Sequence, residues 1–127
     1  MTSLVEDFAD LFSGNLRSFG QWDPNTGNMV TEKAEVTLEH YEAHLAGCTG
    51  LGIVPVTDGG TCKFGCIDVD NHGKGSDGSD IDIAALAAKI EHYRLPLVPT
   101  RSKSGGCHLY LFGQDYLPAK LVIRLLN

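Results

Sequence analysis

Apolar residues recur at helical spacing in the first part of the chain and alternate with polar ones in the second. Leu4, Phe8, Leu11 and Phe12 lie three to four positions apart, which predicts a helix, and Gly14 ends the run. Ser3 and Glu6 stand at capping-box spacing, where each satisfies an orphan backbone N–H at the helix start. Residues 14–30 are rich in Gly, Asn, Asp and Pro and predict a long loop, with a short extended stretch near Met29-Val30-Thr31. Thr37 is the expected N-cap of a second helix carrying Leu38, Tyr41 and Leu45, closed by Gly47.

From Leu51 the pattern predicts strands. Leu51–Val56 and Thr61–Asp70, separated by the turn residues Asp58-Gly59-Gly60, read as a hairpin. After a Gly/Ser/Asp loop, Asp80 is expected to cap a helix with Ile83, Leu86, Ala87, Ile90 and Tyr93 on one face. Leu97–Arg101 and Cys107–Phe112 then predict two antiparallel strands joined across Ser104-Gly105-Gly106, and Pro118 opens a last helix through Leu121, Val122 and Leu125. From Thr61 the order is strand, helix, strand, strand, helix. The expected fold class is therefore α/β (α+β), an RRM-like or ferredoxin-like unit with a mixed or antiparallel sheet that lacks its final strand. A single domain over residues 1–127 is expected, with 1–50 a helical and loop extension and 51–127 a hairpin plus a partial RRM-like core.

Alternation gives the second half its chemistry. In Cys66-Ile67-Asp68-Val69-Asp70, Ile67 and Val69 face the helices, and Asp68 and Asp70 project together from the opposite face. Two carboxylates held side by side repel, and a divalent cation between them relieves the repulsion with hard oxygen ligands of the kind Mg²⁺ prefers. The plainer reading is a strand end running into an Asp/Asn-rich turn. In the run Arg101-Ser102-Lys103-Ser104-Gly105-Gly106-Cys107-His108, the two glycines allow backbone N–H groups to point at an anion, and the cations and hydroxyls add donors. His108 shares a face with Tyr110, while Cys107, Leu109 and Leu111 face the helices. The plainer reading there is a Gly-rich hairpin turn with surface charges and a structural histidine. Taken together, carboxylates beside a phosphate-sized turn fit phosphoryl transfer.

Charge narrows the partners. The net charge is −6, but residues 1–70 hold three Lys/Arg against eleven Asp/Glu and residues 71–127 hold seven against five. A polyanion is therefore expected on the second half. No apolar run approaches the length of a membrane span, and the N-terminus lacks the basic start and apolar core of a signal peptide, so a cytoplasmic protein is expected. Lesser candidates are a zinc site from Cys62, Cys66, His72 and Cys107; the pair His40 and His44 at i, i+4; Arg17 as a phosphate contact; and Phe19 and Trp22 as base-stacking residues.

Four stretches carry a family resemblance. They are His44-Leu45-Ala46-Gly47, Leu51-Gly52-Ile53-Val54-Pro55-Val56, Phe64-Gly65-Cys66-Ile67-Asp68-Val69-Asp70, and Arg101 through Phe112. Together they resemble the archaeo-eukaryotic primase superfamily, with the primase-polymerases of phages and mobile conflict systems the nearest in pattern. The resemblance implies a nucleotidyltransferase, either a primase or a DNA polymerase, acting on nucleoside triphosphates with a DNA template and primer, in a bacterial or phage-infected cytoplasm. It implies Mg²⁺ or Mn²⁺ on Asp68 and Asp70, and nucleotide contacts from Arg101, Ser102, Lys103, Ser104, Gly105, Gly106 and His108. Asp68, Asp70 and His108 are then the catalytic set.

The family also uses a third acidic residue on a later strand. Asp115 is the only acidic residue after His108 and its Gly-Gln-Asp-Tyr setting reads as a loop, so the third ligand is expected outside residues 1–127. A fragment, a split protein completed by another polypeptide, and a shortened relative that binds nucleotide or DNA without turnover all fit that departure. A metal-dependent nuclease and a plain interaction domain stand as rivals.

Overall fold

The computed structural model describes residues 1–70, 81–103 and 105–127. Its elements are α1 (Leu4–Leu11), β1 (Phe19–Asp23), β2 (Asn28–Glu32), α2 (Leu38–Leu45), β3 (Leu51–Ile53), β4 (Thr61–Val69), α3 (Ile83–His92), β5 (Val98–Arg101), β6 (Cys107–Pro118) and α4 (Ala119–Leu126). They form an α+β fold with two three-stranded antiparallel sheets, ordered β2-β1-β3 and β4-β6-β5. No helix among the described residues is long and apolar enough to cross a membrane.

The first sheet departs from the sequence reading. The stretch expected as a loop contains β1, which forms a hairpin with β2 around the turn at Pro24–Gly27. Asp23 organises that turn: its side chain accepts from the Asn25 backbone N–H at 2.9 Å, and Gly27, at φ +70°, donates its N–H to the Asp23 carbonyl. The hairpin expected between Leu51–Val56 and Thr61–Asp70 does not form. β3 pairs instead with β1, Phe19 opposite Ile53 and Gln21 opposite Leu51. A turn does close at Thr57–Gly60, but the strands it separates enter different sheets.

The second sheet follows the expected order. Cys107, Leu109, Ile67 and Val69 meet Ile90, Ile83 and Leu86 of α3, while Cys62 and Leu111 meet Val122 and Leu126 of α4. Both helices therefore cover one face. Gly65 lets α4 approach closely, since a Cβ there would lie 2.7 Å from side-chain carbons of both Val122 and Leu126. The expected cap Asp80 lies outside the described residues. The N-cap of α3 is Asp82, whose carboxylate accepts from the Ala85 backbone N–H.

The other face of this sheet is covered at one end by the N-terminal helix. The capping box at Ser3 and Glu6 forms as expected. Of the expected apolar stripe, Leu4 and Leu11 stay exposed and the two phenylalanines pack. Phe12 seats its ring against Phe64, Tyr110 and Phe112 at centroid distances of 5.2, 5.3 and 5.2 Å. Tyr41 of α2 fixes that residue by donating its hydroxyl to the Phe12 carbonyl at 2.8 Å.

Candidate metal and nucleotide site

Register puts the acidic residue and the histidine together. β4 and β6 run antiparallel with Asp68 directly opposite His108 and Cys66 opposite Tyr110, and β5 places Thr100 opposite His108 and Val98 opposite Tyr110. Directly opposed residues share a face, so rows of side chains cross the open face of the sheet. The Phe64–Phe112 row is roofed by Phe12. The Cys66–Tyr110 row comes next, and the Asp68–His108–Thr100 row lies open at the strand ends. Asp70 stands one residue past the end of β4 with the parity of Asp68, and is exposed.

Within the open row, His108 Nε2 lies 3.5 Å from Asp68 Oδ1, with both side chains solvent-accessible. The Tyr110 hydroxyl lies 3.5 Å from the other ring nitrogen, Nδ1. A carboxylate only accepts, so the proton of a neutral His108 ring belongs on Nε2, and Nδ1 accepts from Tyr110. Burial, followed by the neighbouring Cys66, pushes the Tyr110 hydroxyl above its ordinary range and keeps it a donor. Cys66 is raised as well, by burial first and then by the Asp68 carboxylate.

The donor set suits a hard divalent cation. Asp68 and Asp70 offer carboxylate oxygens, and Mg²⁺ or Mn²⁺ commonly takes one or two such ligands and completes its shell with water and substrate phosphate. Among the described residues no group of three or more His, Cys, Asp or Glu side chains converges on one point. Asp115 does not supply a third ligand here. It belongs to β6, but residues 113–116 bulge out of the ladder where only Lys63 intervenes on β4. It sits seven residues beyond His108, on the order of 20 Å along the strand.

The turn between β5 and β6 uses two of its own backbone donors internally. The Ser102 N–H goes to the Gly106 carbonyl at 3.1 Å and the Gly105 N–H to the Ser102 carbonyl at 3.4 Å, so both donors close the turn. Gly105 adopts φ +82°, and its carbonyl accepts from the Ile81 N–H, tying the turn to the entrance of α3. Gly106 has a packing role: a Cβ there would fall 2.3 Å from the Val69 carbonyl oxygen. Arg101 is opposite Cys107, so it leaves the sheet on the helix-covered side, and Lys103 is exposed. Ser104 lies outside the described residues. The open-face neighbour on β5 is Thr100, which the sequence reading passed over, although counting back from the turn would have paired it with His108.

The lesser candidates resolve on geometry. The register shift between Cys62 and Phe64 reverses the parity of Cys62 and buries it under α4, away from Cys66. Cys107 is fully buried on the helix side, and His72 lies outside the described residues. A shared zinc site from these thiols is therefore ruled out by the faces they occupy. His40 Nδ1 accepts from the Thr37 backbone N–H at 2.9 Å, and its ring packs tilted against the buried Phe19 at 4.6 Å between centroids. His44 Nδ1 meets the Thr49 carbonyl at 3.0 Å. Arg17 pairs with Asp58 at 3.3 Å across two exposed side chains, while Trp22 is half-exposed in β1.

Comparison with known families decides the affiliation. Residues 24–127, from the β1–β2 turn through α4, match the family described as "TOTE conflict system, Archaeo-Eukaryotic Primase domain". The chain belongs to this family. The matched span contains Asp68, Asp70, the 101–106 turn and His108, and it leaves α1 and β1 outside. The primase domain accordingly carries a primase and nucleotidyltransferase-family fold. No curated protein matches the chain.

Proposed function

We propose that this primase domain binds a nucleoside triphosphate through Mg²⁺ or Mn²⁺ at Asp68 and Asp70 and transfers the nucleotide to a primer end on a DNA template. The observation that carries this reading is the placement of Asp68 directly opposite His108 on an open sheet face, with Asp70 at the same parity. The strand order β4-β6-β5, with both helices on one face, matches an RRM-like unit and supports the same reading. When bound, the divalent ions supply Lewis-acid stabilisation of the phosphates and of the attacking 3′-hydroxyl. In this reading His108 donates from Nε2 to a phosphate oxygen, with Thr100 beside it, and Lys103 helps neutralise the outer phosphates. β4 pairs only with β6 among the described residues, so its outer edge beside Asp68 is where a further strand would bring a third carboxylate.

Primer extension with labelled dNTP and Mn²⁺ tests this. Incorporation that Asp68→Asn abolishes supports the reading. One observation favours a second, regulatory reading: no group of three or more His, Cys, Asp or Glu side chains converges among the described residues. That reading expects Mn²⁺-dependent nucleotide binding without incorporation. Cleavage of single-stranded DNA without added nucleotide would instead assign a nuclease.

A further inference from the structure

Beside the Asp68–His108 row lies a partly open cavity of about 270 Å³, lined from α1, α2, β3 and the open face of the second sheet. Its lining includes Phe8, Phe12, His44, Ile53, Cys66 and Tyr110. Cys66 and Tyr110 form its link to the site, because they are the cross-strand pair next to Asp68 and His108. Two residues along a strand is about 7 Å. That step is comparable to the reach of a nucleoside from its own phosphate.

The polar groups around the cavity select its occupant. The Tyr41 hydroxyl is committed to the Phe12 carbonyl. His44 Nδ1 faces the Thr49 carbonyl, which only accepts, so the proton is on Nδ1 and the Nε2 of a neutral ring is an acceptor. Aromatic surfaces with such an acceptor, and no Lys or Arg among the lining residues, suit a flat heterocycle bearing an amino group better than an anion. We infer that this cavity receives the nucleobase of the bound nucleotide, with preference for an amino-bearing base. The inference rests on the nucleotide reading of the adjacent row and adds the protein's own hold on the base. Binding of the base there requires no template strand.

Alkylation of Cys66 by iodoacetamide, mapped by mass spectrometry on the wild-type chain without DNA, tests the inference. Exposed Cys48 is the internal control, since Cys62 and Cys107 are buried. ATP with Mn²⁺ at about ten times its Kd is expected to slow Cys66 alkylation by about tenfold, and adenosine alone to slow it at higher concentration. Inorganic triphosphate with Mn²⁺ is expected to protect far less. If ATP protects no better than inorganic triphosphate and adenosine protects not at all, the inference is overturned. Calorimetric binding of inorganic triphosphate in that case leaves the metal–phosphate site standing. Protection by adenosine, with no triphosphate binding, would keep the cavity and remove the phosphate reading. Ile53→Trp fills the cavity and should abolish ATP protection. A folded Ile53→Trp that retains it also overturns the inference, and should the variant not fold, the wild-type comparison decides.

Discussion

Asp68 and His108 face each other across adjacent antiparallel strands, with Oδ1 and Nε2 3.5 Å apart. The contact is between accessible side chains, so it contributes little to folding and leaves both groups able to turn toward a ligand. Asp68→Asn is therefore expected to fold with unchanged thermal stability. The same substitution should weaken Mn²⁺-dependent nucleotide binding by tenfold or more, about 1.4 kcal/mol or greater. Isothermal titration of ATP with and without Mn²⁺ checks this. Equal affinity in the variant would mean that Asp68 binds no metal.

The Tyr110 hydroxyl acts on the same histidine from behind. In wild type the neutral His108 ring should carry its proton on Nε2, visible as a pyrrole-like Nε2 and a pyridine-like Nδ1 in ¹⁵N spectra. Tyr110→Phe removes the donor to Nδ1 and should shift the ring toward the other tautomer, with a severalfold loss of nucleotide affinity. An unchanged tautomer ratio in the variant would show that Asp68 alone orients the ring.

This face was legible in the sequence because strand alternation is local information. Asp68, Asp70, His108 and Tyr110 needed only the period of two and a turn at Gly105-Gly106 to fall on one side. What escaped depended on pairing between distant residues. β1 is short and sets Gly20, Gln21 and Asp23 among two aromatics, and only the β2 and β3 partners make it a strand. β3 sits one turn before β4 and reads as its hairpin partner, yet it pairs with residues thirty or more positions earlier. The bulge after Cys62 reverses parity with no composition signal, which is why the zinc reading grouped thiols that lie on opposite faces. The turn itself was ambiguous for a related reason: Gly105 and Gly106 suit either an anion or a closed turn, and the Ser102 and Gly105 N–H groups are used in closing it.

Gly106 is the position where that requirement is sharpest. A methyl group there meets the Val69 carbonyl oxygen at 2.3 Å, and backbone cannot rotate away as a side chain can. Gly106→Ala should destabilise the domain by about 1–3 kcal/mol and shift the start of β6, including His108. Urea denaturation measures the loss, and nucleotide affinity should fall with it. Gly105→Ala acts differently, through its φ of +82°, at a cost of about 1 kcal/mol and with His108 left in place.

Cys66 reports on the carboxylate two residues away. Burial raises its thiol first, and the Asp68 charge raises it further. Asp68→Asn should therefore lower the thiol pKa and speed alkylation of Cys66 at fixed pH near neutrality, with exposed Cys48 unchanged. Mn²⁺ added to wild type should act in the same direction by offsetting the Asp68 charge, and should have no effect on the variant. Equal rates in all conditions would separate Asp68 from Cys66 electrostatically and from the metal.

Tyr41 sets the alkaline limit of the arrangement that holds Phe12 over the site. Its hydroxyl donates to the Phe12 carbonyl, and burial, with a smaller effect of Tyr116, pushes its pKa up to about 12. The folded state therefore keeps this proton above the pH at which the unfolded chain, near 10, releases it. The contribution to stability is complete below pH ~10 and is lost as pH rises through the folded value near 12. Tyr41→Phe should cost about 1 kcal/mol at neutral pH through the lost hydrogen bond. Its stability should then decline less steeply than that of wild type between pH ~10 and ~12. Urea titrations of both proteins across that interval measure the difference, and parallel curves would show that the Tyr41 hydroxyl reaches solvent in the folded state.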